Sequence, residues 1–86
     1  MIDFSKTFNI HTSDGTELNI EVGCNKEGGW YEVYDVDTGG DEYYAEGYLE
    51  IEEIDNKPTL TGYDGCYELP EWVAKAVEEQ GVVLDI

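Results

Sequence analysis

The chain has 86 residues, 21 of them Asp or Glu against four Lys and no Arg, for a formal net charge of −17 and a pI near 4.1. This length fits one compact domain over residues 1–86. The charge excludes a nucleic-acid binder of the usual basic kind and a polybasic membrane-surface protein, since a polyanion would be repelled.

No run of 18 apolar residues offers a membrane span. Residues 1–6 have no basic region followed by an apolar stretch, so a cytoplasmic protein is expected. Ile, Leu, Val and Phe make up 23% of the chain, just above the range of disordered sequences. Seven Tyr and two Trp add bulk that disordered tails lack. A marginal fold is expected, and carboxylate repulsion makes its stability rise with salt.

In chain order, Phe4, Phe8 and Ile10 share one parity, and Leu18, Ile20 and Val22 share another. This period of two describes two half-buried strands. Thr12-Ser13-Asp14-Gly15 between them reads as a hairpin turn. A looser turn is expected over 23–29. The third strand, 30–37, carries Trp30, Tyr34 and Val36 on one face and Tyr31 and Val33 on the other. Gly39-Gly40 turns the chain into the longest strand, 42–54. Its odd positions, Tyr43, Ala45, Gly47, Leu49 and Ile51, suit a core. Its even positions, Glu42, Tyr44, Glu46, Tyr48, Glu50 and Glu52, suit solvent or a partner.

A turn over 55–58 leads to a fifth strand, 59–63. Pro70 opens a helix over 70–80 whose stripe is Leu69, Val73, Ala76 and Val77. Gly81 ends it, and Val82-Val83-Leu84 is a short final strand or docked tail. The expected architecture is α+β: an antiparallel sheet of four to six strands with the helix packed on one face, and Trp30 or Trp72 in or at the rim of the core.

Catalysis finds little support. His11 is the single histidine, and it sits beside a turn with no nucleophile or base in its local context. Cys24 and Cys66 lie 42 positions apart, without the close spacing of a zinc or redox pair, and are expected as free thiols. The segment from Asp35 to Glu46 opens like a calcium loop, with Asp35, Asp37 and Glu46 at positions one, three and twelve. Position five is Gly39, and both flanks alternate as strands rather than helices. A Gly-Gly turn is the expected reading, a calcium-binding module the lesser one, and no metal or cofactor is expected.

The main signal is acidic and aromatic. Nine of the 21 acids fall between Asp35 and Asp55. Same-face residues on a strand lie roughly 6.5–7 Å apart, about twice the axial charge spacing of roughly 3.4 Å along a DNA strand. Ordinary solubility needs a net charge of magnitude only about 2–8. The excess points to a basic partner, met by Asp35, Asp37, Asp41, Glu42, Glu46, Glu50 and Glu52, with Tyr44 and Tyr48 as anchors.

In length, single-domain character, acidity and lack of a catalytic motif, the chain resembles the small acidic inhibitors that phages encode, including anti-CRISPR proteins and DNA mimics. The resemblance spans the whole chain by character and carries over no residue. It implies a non-enzymatic viral protein of the host-cell cytoplasm. Monomer and homodimer are both expected readings, since a Tyr-rich sheet face could equally make a dimer. Such a protein would bind the basic nucleic-acid-binding surface of a protein or ribonucleoprotein defence complex, with no direct contact to nucleic acid or membrane. The chain is also similar in character to acidic immunity proteins or antitoxins that neutralise basic nuclease toxins.

Overall fold

Alternation of apolar and polar residues carries the chain through five long strands before its one turn to helical period. The computed structural model describes residues 2–41, 44–65 and 68–86. Its elements are β1 (Phe4–His11), β2 (Glu17–Asn25), β3 (Gly28–Asp35), β4 (Tyr44–Ile54), β5 (Lys57–Gly65), α1 (Glu71–Glu79) and β6 (Val83–Leu84). They form one sheet in the order β1-β2-β3-β4-β5-β6.

The expected α+β class is overturned. The protein is mostly β, with 58% of its residues in strands and one short helix, and the sheet is mixed and curled into a half-barrel. The first four pairings are antiparallel, but β6 runs parallel to β5, with Thr59 opposite Val83 and Leu60 opposite Leu84. The reason is the crossover. Helix α1 carries the chain back along the sheet, so the next strand re-enters in the direction of β5, and Asp85 N–H closes on the Leu60 carbonyl at 2.9 Å.

Glycine placement and a bulge make the curl. Thr61 is the extra residue where the β4–β5 register shifts between Glu50 and Ile51. The expected loose turn over 23–29 is a tight one at Lys26-Glu27, because β2 and β3 run on to Asn25 and Gly28. Gly23 and Gly29 are strand residues at close approaches. A Cβ on Gly23 would lie 2.6 Å from Trp30 Cη2, and one on Gly29 would lie 2.8 Å from Leu49 Cβ. Asp55 and Asn56, at φ 53° and 65°, form the two-residue turn between β4 and β5. Both central residues have positive φ, as the strand twist favours.

The concave face holds the core. Leu18, Ile20, Val22 and Cys24 of β2, Tyr31 and Val33 of β3, Ala45, Leu49 and Ile51 of β4, and Leu60 of β5 form one buried cluster with Val73, Ala76 and Val77 of α1 and Val82. A nine-residue helix is too short to persist alone. Burying each of its two valines contributes roughly 1.5–2 kcal/mol. Pro70 is its N-cap rather than its first helical residue, and its carbonyl accepts from Val73 and Ala74. Gly81, at φ 90°, follows its end. Trp72 packs at the rim of the core. No described helix is long and apolar enough to cross a membrane.

Candidate functional site

Residues opposite each other in an antiparallel pair point to the same face, so the register maps the convex surface directly. Glu21 of β2 faces Glu32 of β3, and Glu32 faces Glu46 of β4. Three carboxylates thus stand side by side on adjacent strands, in steps of roughly 4.8 Å. On one side of this row run Asn19, Tyr34 and Tyr44; on the other run Gly23, Trp30, Tyr48 and Asp64. An acidic row is bracketed by two aromatic pairs.

The anchors differ in exposure. Tyr48 is 71% exposed and Tyr44 48% exposed. Tyr44 O–H donates to Glu46 Oε2 at 2.8 Å, which fixes that carboxylate against the ring. Trp30 is half-buried because its indole lies over Gly23, the one residue type that leaves room for it there. Trp30, Glu32, Glu46, Tyr48 and Asp64 line a shallow groove of about 580 Å³ floored by Gly47 and Gly65. No outward position of β2, β3 or β4 in these rows is a Lys.

The structure sorts the residues expected from sequence. Tyr44, Glu46 and Tyr48 join this surface, and Glu50 and Glu52 continue it along β4, where Glu52 accepts from the Thr61 hydroxyl at 3.1 Å. Asp37 and Asp41 are exposed in the connection that leads from β3 to β4. Glu42 lies outside the described residues, as do Tyr43 and Cys66. Asp35 leaves the set: it is 3% exposed, and its Oδ1 accepts from Asp37 N–H at 2.8 Å and Thr38 N–H at 3.2 Å. Its carboxylate organises the turn rather than the surface. Glu21, Glu32, Trp30, Tyr34 and Asp64 were not singled out from sequence, because only cross-strand register brings them beside β4.

A test separates these roles. Asp35→Ala removes the acceptor of two turn amides and is expected to cost about 1–2 kcal/mol, or roughly 5–10 °C of Tm for a domain this size. Asp37→Asn, at an exposed position, is expected to leave Tm nearly unchanged. Thermal unfolding followed by circular dichroism reads both.

Among the described residues no group of three His, Cys, Asp or Glu could hold a metal ion. Cys24 is a buried free thiol; burial raises its pKa, and Asp3 adds to the effect. It is thus poorly suited to act as a nucleophile. His11 is exposed at the end of β1, opposite Glu17. A second cavity, of about 530 Å³, lies at the start of α1 beside Tyr44, and Glu68 and Glu71 in its wall oppose an anionic ligand there. Comparison of the chain with protein-family models, with curated proteins and with solved structures found no match.

Proposed function

We propose that the protein is a non-enzymatic inhibitor whose convex face occupies a basic, nucleic-acid-binding surface of a host defence complex, in the manner of an anti-CRISPR protein or DNA mimic. The observation that supports this reading is the Glu21–Glu32–Glu46 row. Like charges directly opposite on neighbouring strands destabilise a sheet, and the same register positions could carry Thr or Lys at no cost to the fold. Two adjacent like-charge pairs point to a role outside folding.

The mechanism divides between the two residue types. The field of −17 charges steers a basic surface toward the protein and raises the association rate, an effect that falls with salt. Trp30, Tyr44 and Tyr48 then supply rigid, amphipathic contact area that slows dissociation. Carboxylate steps of roughly 4.8 Å across strands lie between one and two axial phosphate steps of a DNA strand, each roughly 3.4 Å. A guanidinium or ammonium array that reads phosphates finds partners at a usable spacing.

The experiment is affinity capture from the host at low and high salt, followed by a nucleic-acid-binding assay on what is recovered. The expected result is a Lys/Arg-rich protein or ribonucleoprotein held at low salt. Its nucleic-acid binding should be lost at stoichiometric addition of the chain and retained with a Glu46→Lys/Glu50→Lys variant. If the captured partner still binds nucleic acid with the chain attached, the reading fails. It also fails if no basic nucleic-acid-binding protein is recovered at either salt.

A further inference from the structure

A second surface, the β1 edge, is separate from the convex face. Strand β1 is an edge of the sheet, paired on one side only, with β2. Its outer edge therefore offers the backbone N–H and C=O groups of every second residue along an eight-residue strand. The opposite edge, β6, is two residues long. Proteins commonly blunt a long edge with charge, Pro or a bulge. None of these acts on β1: residues 4–13 contain no Asp, Glu or Pro, and they are the longest acid-free run in the chain. Lys6 does not guard the edge either. Its Nζ is bound to Glu79 of α1 at 3.0 Å and sits 5.5 Å from the Phe8 ring centroid.

The side chains beside that edge are suited to being covered. On the concave side Phe4, Phe8 and Ile10 are only partly buried and pack at the margin of the core with Trp72. A groove of about 310 Å³ lies between β1 and α1, lined by Phe8, Ile10, Trp72, Lys75, Ala76 and the Lys6–Glu79 pair. On the convex side β1 shows Ser5, Thr7 and Asn9, which are uncharged. A basic strand finds no carboxylate on β1 and is drawn to the outer face of β2–β4. The complement is a neutral strand that alternates apolar and small polar residues, and β1 itself fits that description.

We infer that β1 is a self-association edge: two copies of the chain pair β1 antiparallel to β1 about a dyad near Thr7 or Phe8, joining the two half-barrels into one continuous sheet. The dyad lays each copy's Phe8 and Ile10 toward the apolar groove of the other. The opposing force is repulsion between two like-charged bodies. The dimer therefore strengthens as salt shortens the screening length from roughly 10 Å at 0.1 M to roughly 3 Å at 1 M. This is opposite in sign to the salt response of the convex face, so the two interactions are separable in one titration.

Sedimentation equilibrium of the full chain, over a range of concentrations at both salts, tests it. The expected result is a monomer–dimer equilibrium whose association constant rises at least tenfold from the lower to the higher salt, with β1 amides gaining hydrogen-exchange protection in the dimer. Thr7→Glu places carboxylates about the dyad. Thr7→Lys does the same with ammonium groups while facing Glu21 favourably within its own chain, so its fold is secure. Each is expected to weaken the dimer at least tenfold with unchanged circular dichroism. A wild-type chain that stays monomeric at all concentrations in high salt overturns the inference, as does a dimer indifferent to both substitutions. So does a monomer whose β1 amides become protected only on adding a captured partner.

Discussion

Gly47→Ala is expected to cost the fold about 3 kcal/mol and to lower Tm by roughly 12 °C. Gly47 sits on β4 opposite Tyr31 of β3 and Gly65 of β5. A Cβ there would fall well inside contact with the Asp64 carbonyl oxygen, and 2.7 Å and 2.8 Å from Cε1 and Cζ of the Tyr31 ring. Neither neighbour can give. The carbonyl belongs to the backbone of β5, and the ring is 1% exposed in the middle of the core.

Alanine does narrow the unfolded ensemble, by about 0.4–1 kcal/mol in favour of the fold. Overpacking costs about 1–3 kcal/mol even where side chains can shift, and here backbone must move as well. The net loss is put at about 3 kcal/mol, or roughly 12 °C or more in Tm. That is a large share of the total, at roughly 0.05–0.15 kcal/mol per residue. Gly62→Ala is the control. Its Cβ would meet Glu50 Oε2 at 2.8 Å, the end of a flexible exposed side chain that swings away, and Tm should move by no more than a degree or two. Denaturant melts of both variants decide the matter. Equal stability of the two would show that β4 and β5 are not held as close at Gly47 as the structure has them.

The same glycines show what the sequence carried and what it hid. Strand parity was legible: in β2, β3 and β4 the residues of one parity are the buried ones, and Val73, Ala76 and Val77 form the helix stripe. The turn ending at Gly15 was also legible, and the one expected over 55–58 shortens to Asp55-Asn56 because Lys57 and Pro58 already belong to β5; Gly15, Asp55 and Asn56 accept the positive φ that tight turns demand. Gly23, Gly29 and Gly47 were opaque. A glycine that ends a strand and one that admits a neighbour's ring look alike until the neighbour is known. The parallel β6 was hidden for a related reason, since nothing in three apolar residues states their direction.

The site follows the same division. Tyr44, Glu46 and Tyr48 were visible on one strand by alternation alone. Glu21 and Glu32 were not, although the two-residue turn at Lys26-Glu27 sets them opposite each other. That turn was read as a loose loop, and a loose loop fixes no register. Glu32 facing Glu46 depends on a longer stretch of chain between Asp35 and Tyr44, where turn type gives no arithmetic. Asp35 was misplaced because burial of a carboxylate depends on the two amides that happen to meet it.

Glu32→Lys is expected to stabilise the fold and abolish the proposed activity together. Glu32 is the middle of the row, with Glu21 and Glu46 directly opposite on its two sides. Each like-charge pair costs a few tenths of a kcal/mol, and each opposite-charge pair returns a similar amount. Reversing the middle charge turns two unfavourable pairs into two favourable ones, for a gain of about 1 kcal/mol, or roughly 4–8 °C in Tm. At a basic partner surface the same Lys meets cations. Like-charge juxtaposition there costs several kcal/mol, and a hundredfold loss of affinity corresponds to about 2.8 kcal/mol.

Glu32→Gln should show half of each effect. Glu78→Lys, on an exposed helix position away from the row, changes net charge equally and should alter only the long-range steering of association. A residue kept for the fold cannot behave in this way, since removing it would lower Tm. If Glu32→Lys lowers Tm, the register that defines the row is wrong. If it raises Tm and leaves partner affinity within threefold of wild type, the convex face is a solvated sheet surface and the proposed partner site is not there.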